Sequence, residues 1–245
     1  MRLAALGSLQ IELAGQPTLD TQGSARTREL LVFLLLHPDG VSKEEVGVAL
    51  WPEASASQIR NSFHVTLHRL RGLLGHAEAI RVEGNRYSVD PAFVGFFDVP
   101  QFESRAKAAL AATRKGRDGG DELLAAIELY RGELLQSESA GEWHLERRER
   151  LQQTYLELLE AAGRQLLAAG RAAEAAAIYR RWIAADDLGE EAYRRLMLCL
   201  EALNEAPEAL RVYRKLTTVL RKELDVEPEK ASRELYERIL NASRR

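Results

Sequence analysis

An internal repeat in the second half of the chain restricts the choice of fold more than any other sequence feature. The segment Gly170–Ala175 returns, with loose similarity, as Asn204–Ala209, and Tyr179 returns as Tyr213. Each of these offsets is 34 residues. A unit of this length is a helix pair that cannot bury its apolar face alone, so neighbouring units must stack on one another.

A period of 34 residues is that of tetratricopeptide repeats. Small residues at Ala175 and Ala209 would let paired helices approach closely, and the two tyrosines would fill the space one turn further on. Two amphipathic helices that match by chance remain the alternative, because such motifs have low specificity. From residue 98 onward apolar positions recur at spacings of three and four. We therefore predict an all-helical, tetratricopeptide-like domain over residues 98–245.

The first 97 residues show a different pattern. Two short alternating segments, residues 3–6 and 9–13, are typical of strands, and residues 26–37 are typical of a mostly buried helix. The composition changes at residues 90–98. We therefore predict two domains, residues 1–97 and residues 98–245.

Two further helices and a hairpin complete the N-terminal domain. Ser42 and Glu45 form a capping-box pattern that begins a second helix, and a third helix is predicted over residues 57–74. Two strand-like runs then flank Gly84-Asn85, a pair typical of hairpin turns. The order of strands, three helices and a hairpin predicts an α+β winged helix with small sheets, whose wing is residues 80–89, in a mostly α chain.

The helix predicted over residues 57–74 carries the main functional signal. Its apolar positions fall on one side, which must pack on the domain core. Asparagine can pair bidentately with adenine, histidine can bond to base edges, and valine can touch a thymine methyl, while arginines suit phosphates. The outward side carries Ser57, Asn61, His64, Val65 and His68, and its flanks carry Gln58, Arg60, Arg69 and Arg71.

A polar helix face is usually only solvated, so this face alone does not indicate DNA binding. Two features favour that function. Residues 57–74 contain no Asp or Glu, although the chain has 37 acidic and 34 basic residues and a net charge of −3. In addition, Arg86 lies beside the turn of the predicted wing, and a narrow minor groove attracts such an arginine. Glu83 opposes this contact.

The sequence contains none of the common catalytic motifs. It has no GxxxxGK[ST] loop and no HExxH pair, and no GxSxG elbow, so we predict neither an enzyme nor a bound cofactor. His64 and His68 stand four residues apart and could share a metal ion. No Asp, Glu or Cys near them in sequence offers a third ligand, however, so groove contact or solvation is favoured over a metal site.

The sequence also predicts the compartment. The longest apolar run, residues 30–36, is far shorter than the roughly 20 residues of a membrane-spanning helix, and no secretion signal is visible. The single cysteine, Cys199, cannot form an internal disulfide. We therefore expect a cytoplasmic protein without a membrane partner.

Several motifs resemble those of a known family. The helix core His64–Arg71 resembles the recognition helix of OmpR-type winged-helix regulators. Ala49–Pro52 and the Arg60-Asn61 pair are more narrowly similar to the SARP group (Streptomyces antibiotic regulatory proteins). Ala209–Tyr213, followed by Leu220–Pro228, is similar to the closing signature of the bacterial transcriptional activator domain. That domain is the second domain of the group and is built of tetratricopeptide-like helices.

The resemblance implies a transcriptional activator that binds double-stranded DNA sequence-specifically near promoters. It also implies contacts to RNA polymerase, and in many members a homodimer on direct repeats. Carried over by position, the functional residues would be Asn61, His64, Val65 and His68 for the bases, Arg60, Arg69 and Arg71 for phosphates, and Arg86 for the wing contact.

The chain also departs from the family. His64 and His68 replace what could be stronger cations, and the chain is mildly acidic, so we expect modest affinity or reliance on dimerisation. Some relatives carry this pair of domains on longer chains with ATPase or sensor modules, so the sequence represents either a compact regulator or a part of a larger one. The alternative function is a protein-interaction adaptor that uses the helical repeat domain, and the acid-free helix face argues against it.

Overall fold

The structure is a computed structural model that describes residues 1–13, 24–116, 119–136, 138 and 141–244. The chain forms two compact units. The first comprises Met1–Glu103 and Leu129–Leu151, and the second comprises Ser104–Glu128 and Gln152–Arg245. Within the described ranges, every helix is too short or too polar to span a bilayer.

The first unit has the order of elements that the sequence predicts for a winged helix. In chain order its elements are β1 (Arg2–Ala4), β2 (Gln10–Glu12), α1 (Ala25–Leu35), β3 (Val41–Ser42), α2 (Lys43–Leu50), α3 (Ala56–Leu74), β4 (Ile80–Glu83), β5 (Arg86–Val89) and β6 (Phe96–Phe97).

Two small sheets flank the three helices of this unit. In the first sheet, β1 pairs antiparallel with β2 and parallel with β6. In the second, β5 lies between β3 and β4 and is antiparallel to both. Glu83 pairs with Arg86, so Gly84-Asn85 forms the two-residue turn of the hairpin, with Gly84 at a φ of 61°. The predicted wing is therefore a hairpin whose base is joined to the start of α2 through β3.

Local capping signals determine where the helices begin. The Ser42 side chain accepts from the Glu45 backbone, and the Glu45 carboxylate accepts from the Ser42 backbone, so the predicted capping box is present at α2. The same reciprocal arrangement joins Ser55 and Gln58 at α3. Helix α3 ends where Gly75 adopts a left-handed φ of 71°.

From residue 98 onward, the elements formed by the described residues are helical. They are α4 (Asp98–Arg114), α5 (Gly120–Ile127), a short 3-10 helix (Glu142–His144), α6 (Leu145–Ala168), α7 (Ala172–Ala185), α8 (Glu190–Ala202), α9 (Ala206–Leu224) and α10 (Lys230–Ala242). Together with the winged helix, these elements confirm the predicted fold class of a mostly α chain with an all-helical C-terminal part.

The 34-residue repeat reappears in the backbone. Gly170 and Asn204 both adopt a left-handed φ, at 74° and 60°. The next amide in each copy donates to the carbonyl five residues back, Arg171 to Leu166 at 2.9 Å and Glu205 to Leu200 at 2.8 Å. Helices α7 and α9 then begin at equivalent positions, and their Ala175 and Ala209 are fully buried. The repeat therefore consists of equivalent helix ends and equivalent buried positions.

Residues 129–151 belong to the first unit, although the sequence pattern groups them with the helical part. Their backbone joins the N-terminal strand region, with Gly7 N–H donating to Glu133 at 2.9 Å and Leu135 N–H donating to Ala5 at 2.9 Å. The Trp143 indole donates to the buried carboxylate of Glu29 at 2.7 Å. These groups are more than 100 residues apart along the chain, so periodicity alone does not reveal the contact.

Asp98 is a second buried carboxylate in this unit. It accepts hydrogen bonds from the backbone amides of Ala5 and Leu6 at 2.8–3.0 Å, and it lies 3.3 Å from the Arg131 guanidinium. Burial nevertheless raises the pKa of Asp98, since desolvation outweighs these stabilising partners.

Candidate nucleic-acid interface

Helix α3 is fixed by its apolar face and by its close approach to α2. One residue of this face, Ile59, is only half-buried and contacts α2. A Cβ atom at Gly47 would lie 2.4 Å from the Ile59 Cγ2 atom. Only glycine therefore allows α2 and α3 to pack at this distance. The buried residues of α3 are Phe63, Thr66, Leu67, Leu70 and Leu74.

The four predicted base-reading residues share the opposite, exposed face of α3. Asn61, His64 and His68 are exposed, and Val65 retains half of its accessible surface. Among the described residues, no side-chain hydrogen bond or ion pair engages the asparagine or either histidine. The structure therefore brings these four side chains together, with their polar atoms available to a ligand.

The flanking arginines divide into two kinds. Arg60 and Arg69 are exposed, and within the described part of the chain neither forms an ion pair. Arg71 is half-buried, and its Nε atom is buried with no hydrogen-bond partner among the described residues. The exposed pair is free to meet phosphates, whereas Arg71 is partly enclosed by the protein.

Electrostatically, α3 lacks any acid that could neutralise these cations. The helix contains no Asp or Glu over its full length. Its first turn is capped by neutral Ser55 and Gln58, so the exposed backbone N–H groups of a helix N-terminus keep their attraction for anions. The outward face of α3 can therefore form hydrogen bonds with a ligand at its centre and bind negatively charged groups at its edges.

The wing is anchored at its base. Tyr87 packs edge-on against the buried Phe63 ring of α3, with ring centroids 4.7 Å apart. Arg81 forms an ion pair with Asp90 at 2.8 Å. At the tip, Val82, Glu83, Gly84 and Asn85 are exposed.

Arg86, the predicted wing contact, is engaged within the protein. Its Nε and Nη2 atoms donate to the Gly40 carbonyl oxygen at 3.1 and 2.6 Å. Its Nη1 atom lies 3.6 Å from the Glu45 carboxylate. Hydrogen bonds with Ser42, and secondarily the charge of Arg86, lower the pKa of Glu45. Arg86 thus has partners on the turn before α2 and on α2 itself, while about half of its side chain stays exposed.

Sequence reasoning missed two features of this region. Gln58 was predicted to flank the reading face, but its side chain caps the helix by accepting from the Ser55 amide at 2.8 Å. The Ser-x-x-Gln spacing was a visible signal for this role. The partner of Arg86 had no local signal, because Gly40 lies 46 residues earlier.

Comparisons with known proteins give consistent matches. The sequence model of one family, described as the bacterial transcriptional activator domain, matches residues 97–240. The regulatory protein AfsR of Streptomyces coelicolor is 33% identical over 99% of this chain and 24% of its own length. The transcriptional regulatory protein EmbR of Mycobacterium tuberculosis is 27% identical over 96% of this chain and 62% of its own length. The chain thus spans about a quarter of AfsR and less than two thirds of EmbR.

A solved structure supports the fold. It is that of Mycobacterium tuberculosis EmbR in complex with a low-affinity phosphopeptide, with a TM-score of 0.73 and 24% sequence identity. The alignment covers 98% of this chain and 65% of that chain. These relatives are named as regulatory proteins, not as enzymes.

Proposed function

This chain belongs to the SARP-type transcriptional regulators that share the bacterial transcriptional activator domain, and from that membership we propose that it binds double-stranded DNA sequence-specifically. Helix 57–74 lies in the major groove, and the wing, residues 80–89, lies along the minor groove. One observation carries this proposal: an exposed, acid-free helix face is bordered by arginines that no described acidic residue neutralises.

The centre of this face reads bases. Asn61 donates and accepts at an adenine edge, and Val65 contacts a thymine methyl. His64 and His68 donate or accept at neighbouring base edges. Their exposure and their lack of described side-chain partners support this role.

The edges of the face bind phosphates. Arg60 and Arg69 contact the backbone on either side of the groove, and Arg71 contributes at the last turn of the helix. Such contacts fix the register of the protein on DNA without specifying sequence. The absence of a described ion pair at Arg60 and Arg69 means that no internal salt bridge has to break before they bind.

The rest of the functional assignment follows from the family. We propose that residues 1–97 form the DNA-binding domain and that residues 98–245 form the activator domain. In this assignment the protein activates transcription in the cytoplasm, contacts RNA polymerase, and binds direct repeats as a homodimer.

Selection of DNA from a random duplex pool tests the proposal. The purified protein should enrich one motif, and a fluorescence titration should show that the motif binds at least ten times more tightly than a scrambled duplex. Affinity should fall as salt rises, because phosphate contacts release counterions. A folded protein that enriches no motif and binds no duplex at low salt would contradict the proposal. If that protein instead captured a protein partner without DNA, the adaptor function would be favoured.

A further inference from the structure

The base of the wing contains an arginine, Arg86, whose side chain is 52% exposed but is hydrogen-bonded within the protein. Two donors of Arg86 converge on one acceptor, the Gly40 carbonyl, at 3.1 and 2.6 Å. Gly40 has a left-handed φ of 79°, and its amide donates to His37 at 2.9 Å. Arg86 therefore holds the turn that ends α1 and leads into α2.

The same side chain reaches the first turn of α2. Ser42, the N-cap of α2, lies opposite Arg86 in the pairing of β3 with β5. The Glu45 carboxylate accepts from the Ser42 amide at 2.7 Å, and it lies 3.6 Å from the Arg86 guanidinium. Arg86 thus contacts both the turn before α2 and the carboxylate that caps it.

The neighbouring residue connects this arrangement to α3. Tyr87 follows Arg86 on β5 and packs against Phe63, a fully buried residue of α3. Two consecutive residues of one strand therefore contact α2 at its start and α3 near its middle. Any displacement of β5 changes the position of the wing relative to both helices.

We infer that Arg86 is a positioning residue, which fixes the wing and α2 relative to α3, and not the minor-groove contact that its place in the sequence indicates. This role rests on the proposed DNA-binding function. A guanidinium that donates two bonds to Gly40 cannot use the same donors on a base edge. Arg86 acts on DNA through the arrangement of α2, α3 and the wing.

Arg86→Lys separates the two roles. Lysine keeps the positive charge but lacks the planar fork that places two donors on one acceptor. If Arg86 positions the helices, Arg86→Lys and Arg86→Ala should both weaken binding to the selected motif about tenfold, the approximate effect of a lost charge-assisted bond. The salt dependence of binding should then stay unchanged. If Arg86 contacts DNA, Arg86→Lys should retain most of the affinity, and Arg86→Ala should lower the salt slope by about one.

Two further variants complete the test. Arg211→Ala removes an arginine of α9 that pairs with Glu208, outside the proposed DNA-binding surface, and it should leave the affinity within about twofold. Gly40→Ala should reproduce Arg86→Ala, since a Cβ atom at Gly40 would lie 3.2 Å from the Arg86 Cβ atom at a backbone φ that disfavours alanine. Affinity per folded molecule that is unchanged in Arg86→Ala and Arg86→Lys would overturn the positioning role, whatever their thermal stability.

A measurement without DNA keeps the two proposals separate. Amide hydrogen exchange of the full chain should show faster exchange at the first turn of α2 and in α3 for Arg86→Lys, but not for Arg211→Ala. If the wild-type protein binds no DNA while this pattern is present, the DNA-binding proposal fails and the internal role of Arg86 stands. Unchanged exchange in Arg86→Lys would overturn that role.

Discussion

The arginines of α3 and those of the repeat helices differ in what surrounds them. In the repeat helices, several arginines lie next to glutamates that neutralise them, in part through pairs three or four residues apart. On α3, Arg60 and Arg69 are exposed and have no acidic partner among the described residues. The ion pairs of the repeat helices include Arg171–Glu174, Arg194–Glu191, Arg195–Glu191, Arg211–Glu208 and Arg238–Glu201.

This difference indicates that the location of acids, more than the number of bases, distinguishes the proposed DNA-binding surface. The chain has a net charge of −3, yet one helix of 19 residues contains no acid at all. Exposed ion pairs contribute only about 0–1 kcal/mol to stability. The main effect of the glutamates in the repeat helices is therefore to neutralise the charge of the arginines that they pair with. Unneutralised cations on one face instead raise the local attraction for phosphates.

The largest expected effect comes from removing both exposed cations of α3. Arg60→Ala combined with Arg69→Ala should weaken binding to every DNA sequence by roughly 100-fold, since a hydrogen bond to a charged group contributes about 1.5–3 kcal/mol. The salt slope should fall by about two. Fluorescence titrations at several salt concentrations measure both quantities.

The matched control removes two arginines that the protein itself neutralises. Arg195→Ala with Arg211→Ala makes the same change in net charge, but both side chains are paired with glutamates. We expect affinity within about threefold of wild type and an unchanged salt slope. Equal losses in the two double variants would mean that net charge, not the α3 face, governs binding.

The next effect distinguishes base contacts from phosphate contacts on the same face of α3. Asn61→Ala should relax the sequence preference by about 1–3 kcal/mol, because one bidentate base contact is lost. Affinity for a scrambled duplex should stay near that of wild type. A repeat of the random-pool selection with this variant measures the change, and an unaltered enriched motif would exclude Asn61 from base reading.

Trp143→Phe tests whether a buried contact outside α3 contributes to stability without affecting DNA affinity. The indole N–H donates to the Glu29 carboxylate, which is only 2% exposed and also pairs with Arg26. Removing that donor should lower the free energy of unfolding by about 1.5–3 kcal/mol, as seen in thermal or urea unfolding. The DNA affinity of the folded variant should remain within about twofold, because no α3 side chain is touched.

The smallest expected effect concerns pH. His144 is buried, and its desolvation, aided by the charge of Arg148, lowers its pKa. A lowered histidine pKa means that the folded state binds fewer protons than the unfolded state. The stability due to this residue is therefore complete above the unfolded pKa of about 6.5 and is lost as pH falls towards the folded value.

Replacing this histidine should flatten the pH profile. Between pH 7.5 and 5.5, His144→Gln should reduce the proton uptake on unfolding by up to about one proton. A His144→Gln profile that matches wild type would contradict this assignment.

Local signals in the sequence predict most of the fold. The capping box at Ser42, the glycine at the end of α3 and the 3.6-residue periodicity locate the helices within a few residues, because each of these signals acts inside one turn of chain. The repeat predicts equivalent positions such as Gly170 and Asn204, because stacked units impose the same backbone geometry. The exposed face of α3 follows from the same periodicity.

Long-range contacts account for what the sequence did not reveal. Residues 129–151 complete the first unit through bonds to Glu29 and Ala5, and no periodic pattern encodes a partner so distant in the chain. Arg86 is of a residue type that often contacts a DNA groove. Only the position of the Gly40 carbonyl shows that its guanidinium already has a hydrogen-bond acceptor within the protein. The residue type thus indicates which contacts a side chain can form, whereas its neighbours in the structure determine which of them it does form.

Photo-crosslinking from the outward face of α3 tests the central claim most directly. A benzoylphenylalanine side chain introduced at Val65, which is 50% exposed, would be compared with one at Leu224 on α9, which is 53% exposed. With the selected duplex, we predict crosslinks from position 65 to bases within the motif and none from position 224. A duplex that binds fully but crosslinks from position 224 and not from position 65 would contradict the account.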